Sequence, residues 1–160
     1  MSKDSIKTAV LGRRQVLKSV GLGALALAGT GLASRDAQAT PEKAAEYLSK
    51  MTGGAAAKEG RVTVKLPEIA ENGRTVPITI SIDSPMTDSD YVKSVYVAAE
   101  GNPNPEVISF TMSPAMGKAE VSTRMRLGKT QNVTAAAVMS DGSVYTGTKQ
   151  VKVTIGGCGG

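Results

Sequence analysis

The segment Val76-Pro77-Ile78-Thr79-Ile80-Ser81-Ile82 places a branched apolar residue at every second position. Successive side chains of a strand point to opposite faces, so this period of two indicates a strand with one buried face. The same period recurs on both sides of this segment. The other stretches that show it are 62–66, 91–100, 107–112, 121–127, 133–139 and 143–155. Together these segments predict seven strands.

Turn signals separate the predicted strands. Asn72-Gly73 and Asp141-Gly142 are typical of tight turns, and the prolines of 101–105 require a loop. No helical pattern lies between the strands, so a parallel sheet is not expected. We predict an all-β fold over residues 61–155, an immunoglobulin-like antiparallel β-sandwich of about seven strands, with a five-stranded barrel as the alternative. Gly147, within the long last strand, is expected to mark a bulge or a bend.

Residues 40–60 have the pattern of a short helix and a linker. Thr40 is suited to the N-cap and Pro41 to the first helical position, and Gly53-Gly54 is expected to end the helix. One face carries apolar residues at helical spacing: Ala44, Ala45, Leu48 and Met51. We expect the helix to pack on the domain or on a neighbouring subunit. The small residues from Ala55 to Gly60 are expected to form a linker.

The composition argues against an enzyme. The chain has no histidine and one cysteine. Histidine is the commonest general base and metal ligand, and a single cysteine excludes both an internal disulfide and a cysteine-cluster metal site. No nucleophile–base or paired-carboxylate pattern is visible. We therefore predict a protein without catalytic residues, cofactor or metal.

Two weak metal hypotheses remain. Five methionines could act as soft copper ligands, although filling gaps in a core poor in aromatic residues is the simpler role. They are Met86, Met112, Met116, Met125 and Met139. Asp83, Asp88 and Asp90 could bind Ca²⁺, but their spacing matches no calcium loop and indicates a solvated loop.

The N-terminal residues resemble an export signal. Gly12-Arg13-Arg14-Gln15-Val16-Leu17-Lys18 resembles the twin-arginine motif, in which Arg13 and Arg14 are the essential pair. The apolar stretch that follows is shorter than the about 20 residues needed to span a bilayer. Ala37-Gln38-Ala39 matches a small-x-small cleavage site. We predict that residues 1–39 are a twin-arginine signal peptide and that the mature protein is periplasmic. The alternative is an amphipathic helix that is retained.

The predicted signal also accounts for the net charge. The whole chain carries +5, but residues 1–39 hold six basic and two acidic residues, so 13 basic and 12 acidic residues remain after them. A net charge of +1 is no electrostatic signature of nucleic-acid or membrane binding. Twin-arginine export moves folded proteins, and no cofactor site is visible, so a partner exported together with the chain is expected.

The chain ends in Gly156-Gly157-Cys158-Gly159-Gly160. Glycine has no Cβ and orders poorly, so we predict that 156–160 is a flexible swinging arm that presents the thiol of Cys158. Five extended residues reach at most roughly 17 Å. One alternative is a frayed terminus. Another is a ubiquitin-like carrier activated at its terminal Gly-Gly inside the cell, which the export signal argues against.

The arm carries nothing that would activate the thiol. Lys152 is the nearest cation in sequence, and the terminal carboxylate of Gly160 disfavours a second negative charge. We expect the proteins that act on the thiol to supply positive charge. We also expect larger residues at Gly156, Gly157, Gly159 or Gly160 to block access to enzyme channels and leave the fold intact.

This exported β-domain with a single cysteine in a terminal GGCGG resembles the SoxY family, the sulfur carriers of periplasmic thiosulfate oxidation. The resemblance implies that sulfur intermediates are attached covalently to Cys158. It implies a heterodimer with SoxZ, another small β-sandwich. It also implies a thiosulfate-ligating haem cytochrome, a sulfate thiol hydrolase and a sulfane dehydrogenase as partners. The rival hypotheses are a structural protein whose terminal cysteine forms an intersubunit disulfide, and a copper-handling β-sandwich.

Overall fold

The computed structural model describes residues 40–157, which contain one α-helix, nine strands and a short 3₁₀ turn at Pro114–Met116. The elements in chain order are α1 (Pro41–Met51), β1 (Ala57–Glu59), β2 (Val62–Lys65), β3 (Ile69–Asn72), β4 (Val76–Ile82), β5 (Val92–Ala99), β6 (Glu106–Thr111), β7 (Glu120–Met125), β8 (Gln131–Met139) and β9 (Val144–Ile155).

The nine strands of this part of the chain form two sheets. The larger has the order β1-β9-β8-β5-β6, with β3 also paired to β9, and the smaller has the order β2-β4-β7. The long strand pairs are antiparallel, as in the hairpin that joins Val138 to Val144 across the predicted Asp141-Gly142 turn. The immunoglobulin-like sandwich is therefore confirmed, and the barrel alternative is wrong.

All seven predicted strands are present, together with two further strands that have no signal in the sequence. β1 lies in the segment expected to be a linker, and β3 lies between two predicted strands. Both pair in parallel with β9, β1 at its start and β3 at its end. The expectation of a purely antiparallel sandwich is wrong here because one edge of the long β9 is open to two short strands.

The core lies between the sheets. Period-two alternation buries Ile78 and Ile80 of β4 against Val95 and Val97 of β5 and their neighbours. The alanines serve two different packing surfaces: Ala135 and Ala137 belong to this core, whereas Ala98 belongs to the cluster beneath α1 together with Ala136. Small side chains therefore allow close packing on both faces of the larger sheet.

Helix α1 packs on the outer face of the larger sheet. Its N-cap is Thr40, whose hydroxyl accepts a hydrogen bond from the Lys43 N–H at 3.4 Å. The same hydroxyl lowers the pKa of Glu42. Ala44 and Leu48 are buried against the sheet, but Ala45 and Met51 of the predicted stripe are exposed. The contact is narrower than predicted, and the helix meets both small and larger residues of the sheet, Ala98, Ala136 and Val144 among them.

Gly147 allows close contact between the two sheets. Pairing of β8 with β9 continues in register through Gly147, so the predicted bulge is absent. A Cβ at this position would lie 2.3 Å from the carbonyl oxygen of Val62 in the smaller sheet. The absence of a side chain at Gly147 is what lets the backbone of β2 approach β9.

Candidate functional site

Several predicted functional residues lie outside the described range 40–157. They are Arg13, Arg14, Ala37, Ala39, Cys158, Gly159 and Gly160. The structure does describe the two residues that lead from β9 to Cys158. We call Gly156 and Gly157 the root of the arm, because any motion of Cys158 relative to the domain starts from them.

The root is packed against the domain. Gly157 is buried and its N–H donates a 2.9 Å hydrogen bond to the carbonyl of Leu127. Leu127 lies in the loop 126–130, which connects β7 to β8. A second loop, 73–75, connects β3 to β4 and touches Gly157 from the other side. We call these two loops the anchoring loops.

Three backbone hydrogen bonds tie β9 and the anchoring loops together. The Gly73 N–H donates to the carbonyl of Ile155 at 2.7 Å, and the Gly73 carbonyl accepts from the Leu127 N–H at 2.8 Å. The bond from Gly157 to Leu127 completes the set. The end of β9 is therefore held on both sides before the chain reaches Cys158.

Glycines make this contact possible because the backbones approach too closely for a Cβ. A Cβ on Gly157 would lie 2.1 Å from the Gly73 carbonyl carbon, and one on Gly156 would lie 2.3 Å from the Gly128 carbonyl oxygen. A Cβ on Gly73 would likewise lie 2.8 Å from the nitrogen of Gly157. These contacts contradict the expectation that larger residues at Gly156 and Gly157 leave the fold intact.

A buried polar pair supports the loop 126–130. Asn102 and Gln131 are 7% and 6% exposed. The Asn102 amide donates to the Arg126 carbonyl at 3.0 Å and its oxygen accepts from the Gly128 N–H at 2.9 Å. Gln131 donates to the same Asn102 oxygen at 3.1 Å. Together the two side chains fix the backbone that receives Gly157.

Replacing Asn102 with alanine is expected to lower the free energy of unfolding by about 1–3 kcal/mol, because it leaves buried polar groups of the loop unpaired. Urea unfolding would measure the change. Asn104→Ala is the matched control, because Asn104 is exposed and lies in the same loop. Its effect is expected to stay within about 0.5 kcal/mol. Equal losses in the two variants would show that Asn102 does not support the anchoring loop.

Two arginines that are remote in sequence have their backbone next to the root. Arg74 follows Gly73, and its backbone nitrogen would lie 2.2 Å from a Cβ on Gly157. Arg126 precedes Leu127, which accepts the hydrogen bond from Gly157. Proximity in sequence identifies only Lys152 and misses both arginines. Long-range packing brings the backbone of both arginines to the root, and no local pattern in the sequence indicates this proximity.

The structure gives little support to the alternative copper and calcium sites. Met86, Met112, Met125 and Met139 are buried in the main core, whereas Met116 is 46% exposed. This distribution favours gap-filling. Asp90 forms an ion pair with Arg61 at 3.2 Å. Between residues 40 and 157, no three or more His, Cys, Asp or Glu side chains are grouped to hold a metal ion.

The segment from 40 to 157 contains no helix with the length and apolar character that a transmembrane span requires. Its one α-helix, α1, has 11 residues.

Two comparisons with known proteins give the same family. The family model for sulfur oxidation protein SoxY matches residues 48–158. The structure of the sulfur carrier protein SoxY from Chlorobium limicola f thiosulfatophilum is 34% identical to this chain, with a TM-score of 0.60. The match covers 71% of this chain and 98% of that one. No curated protein sequence matches the chain significantly.

Other solved structures share the fold alone. The superoxide reductase (neelaredoxin) from Ignicoccus hospitalis is 19% identical, with a TM-score of 0.51, over 74% of this chain and 96% of that one. A putative superoxide reductase from Thermotoga maritima is 15% identical, with a TM-score of 0.52, over 61% of this chain and 93% of that one.

Proposed function

Because the chain belongs to the SoxY family of sulfur oxidation proteins, we propose that it carries thiosulfate-derived sulfur covalently on Cys158 and presents it to periplasmic thiosulfate-oxidising enzymes. The observation that carries the proposal is the extent of the family match, which ends at Cys158, the only cysteine of the chain. The protein acts as a carrier and leaves the catalysis to its partners.

The chemistry on the carrier needs only a thiol. Thiosulfate and the Cys158 thiol form an S–S bond, releasing one proton and two electrons, which the haem cytochrome accepts. The product is a thiosulfonate, Cys–S–S–SO₃⁻. Water then displaces the terminal group as sulfate with release of two protons, which leaves a persulfide, Cys–S–S⁻, for the sulfane dehydrogenase. Each redox or hydrolytic step is performed by a partner, consistent with the lack of histidine in this chain.

The anchored root changes the expected length of the arm. Because Gly157 is hydrogen-bonded to Leu127, an arm that is anchored in this way is at most three residues long, 158–160. Three residues reach at most roughly 10 Å. The thiol is then presented close to the anchoring loops, and release of Gly156 and Gly157 would lengthen the arm. Gly157 makes a single hydrogen bond worth about 1 kcal/mol, so binding to a partner enzyme can supply the free energy for its release.

Membership of the family supports a partner subunit. Two large apolar side chains near the end of β9 are exposed, Ile155 by 68% and Ile69 of the adjacent β3 by 56%, and the strand register places them on opposite faces of the sheet. We propose that a SoxZ-like β-sandwich binds the chain in a heterodimer. The twin-arginine signal in residues 1–39 would export the folded pair to the periplasm.

The reactivity of the native thiol tests this proposal. We expect the folded chain to consume one equivalent of a thiol reagent at a rate close to that of the isolated peptide Gly-Gly-Cys-Gly-Gly. Cys158→Ser should consume none. Reaction only after addition of denaturant would contradict the presentation of Cys158 to other proteins.

The alternative, in which Cys158 forms an intersubunit disulfide, predicts a different result for the native protein. A structural role for Cys158 requires a covalent dimer that persists on non-reducing gels during thiosulfate oxidation. The carrier proposal requires that the chain stay monomeric on those gels while it turns over. A stable dimer as the dominant species during turnover would favour the structural role.

A further inference from the structure

A cavity lies between α1, β1 and the outer face of the larger sheet. Its volume is ≈ 230 Å³, and an apolar cavity of roughly 150 Å³ is already large enough to bind benzene. Ala136 and Val144, each 1% exposed, form its floor, and Leu48 of α1 forms one wall. The small side chains of the floor leave this space open beneath the helix.

The lining of the cavity is almost entirely carbon. None of the described residues that line it is charged, and its alanines, Leu48 and Val144 carry only carbon in their side chains. Three hydroxyl residues complete the lining: Ser49, Thr52 and Thr146. The Thr52 hydroxyl is already used within α1, because it donates to the Leu48 carbonyl at 2.9 Å. A molecule in the cavity would therefore contact carbon and find no charged partner.

The surface around the cavity is charged, so the apolar character is confined to its interior. Glu46 and Lys50 are exposed on α1. Lys58 and Glu59 are exposed on β1. Met51 adds one exposed large apolar side chain. A stable protein interface buries about 1,000 Å² or more, which one methionine and the mouth of a small cavity do not supply, so these surroundings favour a small molecule.

Helix α1 is held in a way that lets the cavity adapt to its contents. Gly53 and Gly54 follow the helix with φ of 72° and 73°, and a Cβ on either would meet nothing within 4 Å. Ala44 and Leu48 are the buried residues of α1. The hydroxyl oxygen of Tyr47 is buried and makes no hydrogen bond within the described residues, which weakens the seating of the helix. Small movements of α1 can therefore widen or narrow the cavity.

We propose that this cavity is a binding site for a small neutral apolar molecule, about the size of one aromatic ring or a short alkyl chain. Burial of carbon surface supplies the free energy of binding, so no directional polar contact is required. Because the bound molecule fixes α1 on the sheet, it should raise the Tm of the chain. The cavity lies at the start of β9, whereas the root of the arm follows its end, so the inference is independent of sulfur carriage.

Benzene is the probe for this site. It is titrated into the full chain while the methyl signals of Leu48, Ala136 and Val144 are followed by NMR. We expect saturable shifts of these signals with a Kd of about 1 mM, and nuclear Overhauser effects from the benzene protons to the same methyl groups. Pyrazine, a ring of the same size with two nitrogen acceptors, is the matched control. It should bind about ten-fold more weakly, because its hydrogen bonds to water are lost in the cavity.

A substitution at the edge of the cavity tests its location. Ala45 lines the cavity and is exposed, and leucine is a good helix former, so Ala45→Leu should fold normally. We expect it to weaken benzene binding about ten-fold, which corresponds to losing contact with about two methylene-sized groups. Ala56→Leu is the matched control, because Ala56 is also exposed but does not line the cavity. It should leave the Kd for benzene unchanged.

Three results would overturn the proposal. They are methyl shifts that grow linearly without saturation, equal affinities for benzene and pyrazine, and an unchanged Kd in Ala45→Leu. The titration is then repeated on the complex isolated with the native partner subunit, where retained binding supports a ligand site. Loss of binding in the complex would show that the partner fills the cavity, and would also overturn the proposal. None of these results bears on whether Cys158 carries sulfur, so the two proposals fail separately.

Discussion

Thiosulfate oxidation in a reconstituted system is expected to fall to the level measured without this protein when Cys158 is replaced by serine. A serine hydroxyl cannot form the S–S bond on which the proposed cycle depends, and the chain has no second cysteine to take its place. Sulfate formation measures the loss. The substitution exchanges one atom, so the free energy of unfolding should change by no more than about 0.5 kcal/mol.

Lys149→Gln serves as the control for this experiment, because Lys149 is exposed on β9. It should retain the full rate of sulfate formation. Undiminished turnover in Cys158→Ser would show that sulfur is carried elsewhere. Loss of a covalent dimer without loss of turnover would identify Cys158 as a structural cysteine.

Gly157→Val is expected to lower the free energy of unfolding by about 1–3 kcal/mol, the usual cost of forcing atoms into a packed site. The new side chain would meet the backbone of Gly73 and Arg74, neither of which is a flexible side-chain end. The chain can limit this cost by releasing the root. Urea unfolding and hydrogen exchange of the residue-157 N–H measure the two responses, and exchange should accelerate because the bond to Leu127 is lost.

Gly159→Val is the matched control, because it adds the same side chain to the same arm beyond the root. We expect it to leave the free energy of unfolding unchanged and to slow turnover with the partner enzymes. Comparing Gly157→Val with Gly159→Val therefore separates the loss of the root contact from the loss of access to the partner enzymes. Equal stability in Gly157→Val and the unsubstituted protein, with unchanged exchange at residue 157, would show that the root contact contributes nothing.

The strands that can be predicted from the sequence share a simple physical cause. Each buries one face, so the apolar residues of segments such as Val76–Ile82 recur at every second position. β1 and β3 lack this pattern because β1 is wholly exposed and β3 buries only Ala70. They are strands because the edge of β9 offers hydrogen bonds. Such pairing depends on distant backbone groups and leaves no periodicity in the local sequence.

The packing of the root against the domain could not be predicted from the sequence, for a related reason. Glycine lacks a Cβ, and this property serves both a mobile segment and a close approach of two backbones. The repeated glycines of Gly156-Gly157 favour the first interpretation, whereas the structure shows the second use, in which Gly157 packs on Gly73.

The polar groups around the root are equally hidden in the sequence. The backbones of Arg74 and Arg126 lie next to the root only because the anchoring loops fold there, so the separation of these residues along the chain conceals this proximity. The sequence does not identify the Asn102–Gln131 pair, because it does not distinguish a buried amide side chain from an exposed one. Both features depend on the completed sandwich.

The most direct test of the account is the intact mass of the protein taken from cells that are oxidising thiosulfate. We predict additional masses that correspond to sulfane sulfur or thiosulfonate, that map to the peptide containing Cys158, and that disappear on treatment with a reductant. The Cys158→Ser protein from the same cells should show none of them. A single unmodified mass for the unsubstituted protein during active turnover would contradict the covalent carriage of sulfur.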